Sequence, residues 1–386
     1  MIEQSKRLAA VQTPVIPFVI RWIEETPGTI SLGQGLVSYG PPQQALDALK
    51  RFPEAPDDHK YGPGEGLPEF VAALEAKLLR ENQTRMTGRR LFVTAGGNLA
   101  FMNAVLAIAD PGDEVILPVP FYFNHEMAIV MANCRPVPVR TQPNGQLDLD
   151  AIRAAVTPRT RAIVTVSPNN PTGAMYPEAA LREVNALCAH HGIFHIHDEA
   201  YEYFTYDDQP HFSPASIAGS EPHTVALYSF SKAYGFASWR IGYMVIPEGL
   251  WDAVNKIQDT MLICAPTVSQ RAALGALEAG RAYVRPHVAQ LARTRHVLFN
   301  ALNDPAVPCD VMHAQGAFFF FIRVHSSHTS MVVTERLVRE HRVAVTPGSA
   351  FGATEGCYAR VSFGALDHDT AAEGIGRLVE GLKHVS

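Results

Sequence analysis

The stretch SFSKAYGFASWRIGY, residues 229–243, links two apolar runs, TVALYSF from Thr224 and RIGYMVI from Arg240. Both runs are short and rich in apolar or β-branched residues, the composition of buried strands. The connection sets Lys232 among small and aromatic neighbours and places Arg240 shortly after it. An amine in such surroundings loses part of its preference for the charged form, as a lysine that forms a Schiff base requires. Taken alone, the segment favours a plainer reading, a solvated surface lysine.

Further runs of the same kind precede it: LFV near 91, EVILP near 114, RAIVTV from 161 and GIFHIH from 192. Helical patterns lie between them. In LPEFVAALEAKLLREN, residues 67–82, Leu67, Phe70, Val71, Leu74, Leu78 and Leu79 recur at three-and-four spacing, with Pro68 suited to the first turn. NLAFMNAVLAIA (98–109) and PEAALREVNALCAHH (177–191) also carry helical periodicity. This alternation predicts an α/β fold with a mostly parallel sheet flanked by crossover helices. After about residue 280 the texture changes to a long helical stretch, then AFFFFIRV, RVAVT and CYARVSF as strands, then a closing helix from about 367. That part reads as a smaller α+β unit. The expected division is a large domain over 45–275 and a small one built from 1–44 and 276–386. Ligands are expected at the strand carboxyl ends and in the crevice between the two parts.

The chain has 386 residues, 47% hydrophobic and 18% charged, with a net charge of −6. It is long enough to bury a large core. Its charge offers no field for nucleic acid or an anionic membrane, so small molecules are the expected partners. The opening MIEQSKRLAAVQTPVIPFVIRWIEETPG mixes charges and prolines into its apolar residues and reads as neither signal peptide nor spanning helix. The five cysteines are scattered, with no CxxC spacing, which fits a reduced cytoplasmic setting.

Three more segments carry candidate chemistry. TAGGNLAFMN, residues 94–103, passes from strand to helix through two glycines, where free N–H groups of a helix start meet an anion; a tight turn is the equal alternative. SPNNPTG, residues 167–173, is a dense turn signal in which the Asn170 amide can donate to a ligand. HDEAYEYF, residues 197–204, ends a strand with Asp198 and adds Tyr201 within one turn. A surface carboxylate is the common alternative for Asp198.

Together with residues 229–243, these segments resemble the fold-type I pyridoxal 5'-phosphate (PLP) enzymes, specifically the class I/II aminotransferases, over nearly the whole chain and in the family's order. The resemblance implies that Lys232 carries PLP as a Schiff base and shuttles the substrate proton, while Asp198 pairs with the ring nitrogen. It places Asn170 and Tyr201 on the ring's phenolic oxygen, Tyr122 against the ring, and Gly97, Asn98, Ser229 and Arg240 on the phosphate. It further gives Tyr61 to the phosphate of a dimer partner and Arg360 to the substrate α-carboxylate, with Gly35 beside it. The family often has GxPDF where this chain has Gly35, Leu36, Val37, Ser38 and Tyr39. That segment borders the substrate side chain in similar enzymes, as do the positions of Phe18 and Trp22, so Phe18, Trp22 and Tyr39 either form an aromatic wall for the donor side chain or only pack the N-terminal segment against the small domain.

The implied function is a homodimeric, cytoplasmic aminotransferase with ping-pong exchange between an amino acid and a 2-oxo acid. No second arginine lies in a motif that would receive an acidic side chain, so a neutral donor, aromatic or methionine-like, is expected. A PLP-dependent β-elimination (a C–S lyase) is the alternative within the fold. A regulator's PLP-sensing module is disfavoured, because the recognisable segments begin near residue 31 with no DNA-binding extension before them.

Several features read plainly. GPGEG at 62–66 follows no strand and is a turn. His190, His191, His195 and His197 are not expected to hold a metal, since a metal needs a closed ligand set. Phe318 to Phe321 are expected in sheet core.

Overall fold

The computed structural model describes residues 5–54 and 56–385; residues 1–4 and 386, the extreme ends of the expected small part, and Ala55 of the large part lie outside it. The strand-like runs from residue 89 to 247 join one seven-stranded sheet. Its order is Arg89–Thr94, Gly242–Pro247, Thr224–Ser229, Phe194–Asp198, Thr160–Val166, Glu114–Val119 and Arg135–Arg140. Pairing is parallel from Thr224–Ser229 to the far edge at Arg135–Arg140. Gly242–Pro247 is antiparallel to both neighbours. The connection 230–241 therefore turns the chain back beside the strand it has just left, without a crossover to a parallel position.

The strand Arg135–Arg140, sequence RPVPVR, has no counterpart in the sequence reading. Its prolines interrupt any apolar run, yet it lies at the sheet edge and pairs only with Glu114–Val119, where a missing N–H is tolerated. The predicted helices are present as Pro68–Glu81, Gly97–Ile108 and Glu178–His191. The last ends at Gly192, whose φ of 64° is the left-handed cap that glycine adopts without cost. Helix Gly97–Ile108 buries Ala100, Phe101, Ala104 and Val105 against sheet residues such as Val115, Leu117 and Leu227.

In the C-terminal part, Thr346–Pro347, Cys357–Ser362, Phe319–Val324 and Cys309–Val311 form a four-stranded antiparallel sheet. Phe318, Phe319, Phe320 and Phe321 are all buried, as expected for sheet core. The run RVAVT divides. Val343–Ala344 pairs in parallel with Ile30–Ser31, whereas Thr346–Pro347 joins the larger sheet. The first pairing fastens the N-terminal segment to the C-terminal part and delivers residues 33–36 to the crevice. Among the described residues, no helix is long and apolar enough to cross a membrane.

Candidate active site

The parallel strands converge with their carboxyl ends on a cavity of about 440 Å³. Asp198 and Ser229 end their strands, while Gly97, Tyr122 and Asn170 follow theirs closely; all five line the cavity. Asn98, Tyr201, Lys232, Arg240, Arg360 and Gly35 complete that group. One fold feature thus gathers eleven of the thirteen site residues expected from sequence.

At one end the turn into helix Gly97–Ile108 passes through Gly96, with φ +83°. A Cβ on Gly96 would lie 2.5 Å from a guanidinium nitrogen of Arg240, so only glycine lets the arginine lie across this turn. Arg240 itself has a φ of 52° and donates to the carbonyls of Ala237 (2.9 Å) and Ala95 (3.4 Å). The Ser229 hydroxyl accepts from the Ser231 N–H at 3.1 Å. A guanidinium, a hydroxyl and the unpaired N–H groups of a helix start make an anion cradle.

Deeper in the cavity, one Asp198 oxygen accepts from the Ala200 N–H at 2.9 Å, and the other lies 3.2 Å from His125 Nε2. His125 is buried, stacks on Phe101 at 4.0 Å and meets the Tyr122 ring edge-on at 5.2 Å. The sequence reading passed over this histidine. Its only signal is its place three residues beyond Tyr122, on the inner face of helix Phe123–Met131. The Asn170 amide donates to the Tyr201 hydroxyl at 3.3 Å, and its oxygen accepts from Arg360 at 2.9 Å. Burial pushes the Tyr201 and Tyr122 phenols up, so both are neutral hydrogen-bonding groups.

Two cations dominate the electrostatics, the buried Arg360 and the half-buried Lys232 at the cavity. Arg360 donates to Asn170 and to the Gly33 carbonyl (2.8 Å) and lies over the rings of Phe319 and Phe351, 4.6 and 5.0 Å from their centroids. Among the described residues it forms no salt bridge, and its Nε has no acceptor. Burial lowers its pKa to about 10. A buried guanidinium with an unused N–H and no counter-ion fits an arriving carboxylate. The Lys232 amine donates to the Gly35 carbonyl at 2.5 Å. Burial, reinforced by Arg360 and Arg240 and opposed by Asp198, lowers its pKa to about 8. The donor set matches PLP: an anion cradle, a carboxylate, two phenols, an amide and an amine of depressed basicity.

Two of the thirteen do not line this cavity, and for Tyr61, expected at a dimer partner's phosphate, that is no departure. Tyr61 is 80% exposed and does not line this cavity. Tyr39 is not at the substrate side of the cavity either. Its ring stacks on His287 at 3.7 Å and its hydroxyl turns back to the Lys232 and Ala233 carbonyls. Of the two readings of Phe18, Trp22 and Tyr39, the aromatic wall is not what forms: the wall is aliphatic. Helix Ile16–Glu25 presents Ile16, Val19, Ile20 and Ile23 to the cavity at three-and-four spacing, beside Leu36. Phe18 falls off that face into solvent, and Trp22 packs with Val338 and Ala344.

The strand histidines are core groups. Thr165 Oγ1 lies 2.7 Å from His195 Nε2 and 2.6 Å from His197 Nδ1, and burial holds both rings neutral, His195 down to about 3. Glu199, Glu202 and His211 bring possible ligand atoms within 4.8 Å of one another. Lys77 already bridges both Glu202 oxygens at 2.6 Å, and Ser213 and Tyr228 donate to Glu199, so that trio is a closed internal network.

Known proteins share this arrangement over almost its entire length. The aromatic aminotransferase ISS1 of Arabidopsis thaliana is 35% identical over 390 residues, spanning 99% of this chain and 96% of its own. The aspartate aminotransferase of Pyrococcus abyssi is 32% identical, spanning 92% of each chain. A single mutant of Thermus thermophilus aspartate aminotransferase superposes with a TM-score of 0.90 at 31% identity, over 99% of this chain and 100% of its own. Residues 27–378 match the family described as aminotransferase class I and II. With the strand-end cavity, its lysine and its buried arginine in place, this chain belongs to the class I and II aminotransferases, enzymes of PLP fold type I.

Proposed function

We propose that this aminotransferase takes its amino group from a neutral, large apolar amino acid and passes it to a 2-oxo acid by ping-pong exchange. The observation that carries the reading is the set of cations at the cavity. Only Lys232, Arg240 and Arg360 among its described lining residues are lysine or arginine. Arg240 serves the anion cradle and Lys232 the reaction, which leaves Arg360 for the α-carboxylate. No lining cation remains for a side-chain carboxylate, while Ile16, Ile20, Ile23 and Leu36 offer apolar surface. Burying an apolar side chain there contributes about 1.5–3 kcal/mol, and an unpaired carboxylate costs more than that. The relatives' names divide between aromatic and aspartate aminotransferases, so the side-chain wall has to decide.

In this reading Gly97, Asn98, Ser229 and Arg240 hold the phosphate of PLP. Asp198, steadied by His125, faces the ring nitrogen. Asn170 and Tyr201 donate to the phenolic oxygen, and Tyr122 covers the ring. PLP supplies an electron sink for the pair left when the substrate Cα–H bond breaks. Lys232 Nζ takes that proton and returns it, and a pKa near 8 keeps enough neutral amine for the task near neutral pH. Arg360 fixes the carboxylate, and with it the direction in which the Cα–H bond points. The active unit in this proposal is a homodimer in which exposed Tyr61 reaches the partner's phosphate cradle, working in the cytoplasm.

The test compares kcat/KM for phenylalanine, methionine, alanine and aspartate against one shared oxo-acid acceptor. Phenylalanine and methionine are expected to exceed alanine by about 10–200-fold, the range for apolar pocket contacts, with aspartate lowest. Aspartate leading the series overturns the proposal. Release of ammonia from a sulfur amino acid with no acceptor present marks β-elimination instead.

A further inference from the structure

Lys232 sits on a single helical turn, Phe230–Ala233. So short a helix gives its C-terminal carbonyls few internal partners: the Lys232 carbonyl meets the N–H of Tyr234 and, at a long 3.5 Å, that of Gly235. A donor arrives from 193 residues away: the Tyr39 hydroxyl lies 3.2 Å from the Lys232 carbonyl oxygen and 3.3 Å from that of Ala233. The Tyr39 ring is itself held, stacked on His287 at an interplanar angle of 11° and edge-on to Tyr283. Tyr283 in turn donates to the Gly40 carbonyl. The two segments touch closely. A Cβ on Gly235, φ +68°, would lie 2.5 Å from the Tyr39 carbonyl oxygen and 2.7 Å from Gly40.

The same segment also receives the other end of the lysine, since the amine donates to the Gly35 carbonyl at 2.5 Å. Residues 35–40 therefore grip Lys232 at both its amine and its backbone. Packing alone needs only the ring, which a phenylalanine supplies, as in the GxPDF pattern from which this chain departs. The hydroxyl is the added element, and both of its contacts are to the lysine's own turn.

We propose that Tyr39 is a positioning residue for Lys232: its hydroxyl, shared between the Lys232 and Ala233 carbonyls, fixes the turn from which the amine reaches into the cavity. This rests on Lys232 being the reacting amine. When the amine leaves Gly35 to move a proton, its backbone anchor stays in place. Without the hydroxyl the amine's reach spreads over more orientations, and small misplacements of a reacting group cost rate. Substrate binding is untouched, because Arg360 is held by Asn170 and Gly33.

The experiment uses PLP-loaded wild type and Tyr39→Phe. Borohydride reduction and peptide mapping first locate the trapped cofactor in each. An adduct on any residue other than Lys232 removes the premise, and the proposal with it. With the adduct on Lys232 in both, Tyr39→Phe is expected to lower kcat and the single-turnover rate about tenfold, the equivalent of one hydrogen bond, while the donor KM stays within about twofold. Unchanged kcat overturns the proposal, whether or not Tm falls, because the hydroxyl is then only structural. A rise in KM with kcat intact also overturns it, since Tyr39 would then act on substrate binding.

Discussion

The Lys232 amine has an ordinary pKa of 10.5 and a folded value of about 8, chiefly because burial penalises its charged form. The direction was legible in the small and aromatic neighbours of SFSKAYGFASW. The contribution of Arg360 was not, because it lies on another sheet. The shift has a consequence for stability. The folded value lies below the unfolded one, so between about pH 8 and 10.5 the unfolded chain binds more protons and stability rises with pH. Below that window the folded protein carries the whole cost of an ammonium largely withdrawn from water. The cofactor-free Lys232→Met variant is therefore expected to melt above the cofactor-free wild type at pH 7. Its lead should shrink as pH is raised through the window, in paired thermal scans. A constant difference across that range contradicts the assignment. His125 and Tyr39 show what single residues conceal. Each acts on a group far away in sequence, Asp198 in one case and the Lys232 turn in the other. The local pattern brings Tyr39 and the neighbourhood of His125 to notice, but not the distant group that each one meets.

Elements were legible wherever a periodic run stood between clear breakers, as in Pro68–Glu81 and Thr224–Ser229. The edge strand Arg135–Arg140 escaped because its alternate prolines erase the apolar run while its single ladder tolerates them. The choice between an aromatic wall and mere packing for Phe18, Trp22 and Tyr39 was illegible for a different reason. Helix phase decides which side chains face the cavity, and that phase is set by packing of helix Ile16–Glu25 on Val338 and Ala344. Helix packing also separates two glycine substitutions that look alike on paper. A Cβ on Gly275, in helix Thr267–Leu302, would meet the Gln44 carbonyl oxygen of helix Gln43–Arg51 at 2.5 Å. One on Gly376, in helix His368–Val385, has nothing within 4 Å. Gly275→Ala is expected to destabilise by about 1–3 kcal/mol through overpacking. Gly376→Ala is expected to stabilise by about 0.5–1 kcal/mol through helix propensity. Urea midpoints at unchanged slope measure both, and equal effects would mean that the helices can part to admit the methyl group.

At the scale of the molecule, three distant stretches meet at one guanidinium. Arg360 comes from the C-terminal sheet, Asn170 from the loop after a strand of the large sheet, and Gly33 from the N-terminal segment tied down by the Ile30–Ser31 pairing. The run CYARVSF that carries Arg360 was readable, but the convergence on it depends on chain topology. A ligand that supplies a carboxylate to Arg360 and an apolar tail to Ile16, Ile20 and Ile23 engages all three stretches at once and binds only the folded state. Hydrocinnamate has both parts, and succinate replaces the tail with a second charge. Hydrocinnamate is expected to inhibit competitively against the amino donor and to raise Tm. At a hundredfold excess over Kd it adds about 2.7 kcal/mol of stability. Succinate is expected to do much less at equal concentration. Arg360→Lys should abolish most of the hydrocinnamate shift, because a lysine offers a point charge where the carboxylate needs two parallel N–H donors. Succinate matching hydrocinnamate on the wild type would place an undetected cation at the apolar wall. A full hydrocinnamate shift in Arg360→Lys would move the carboxylate site away from the place where the three stretches meet.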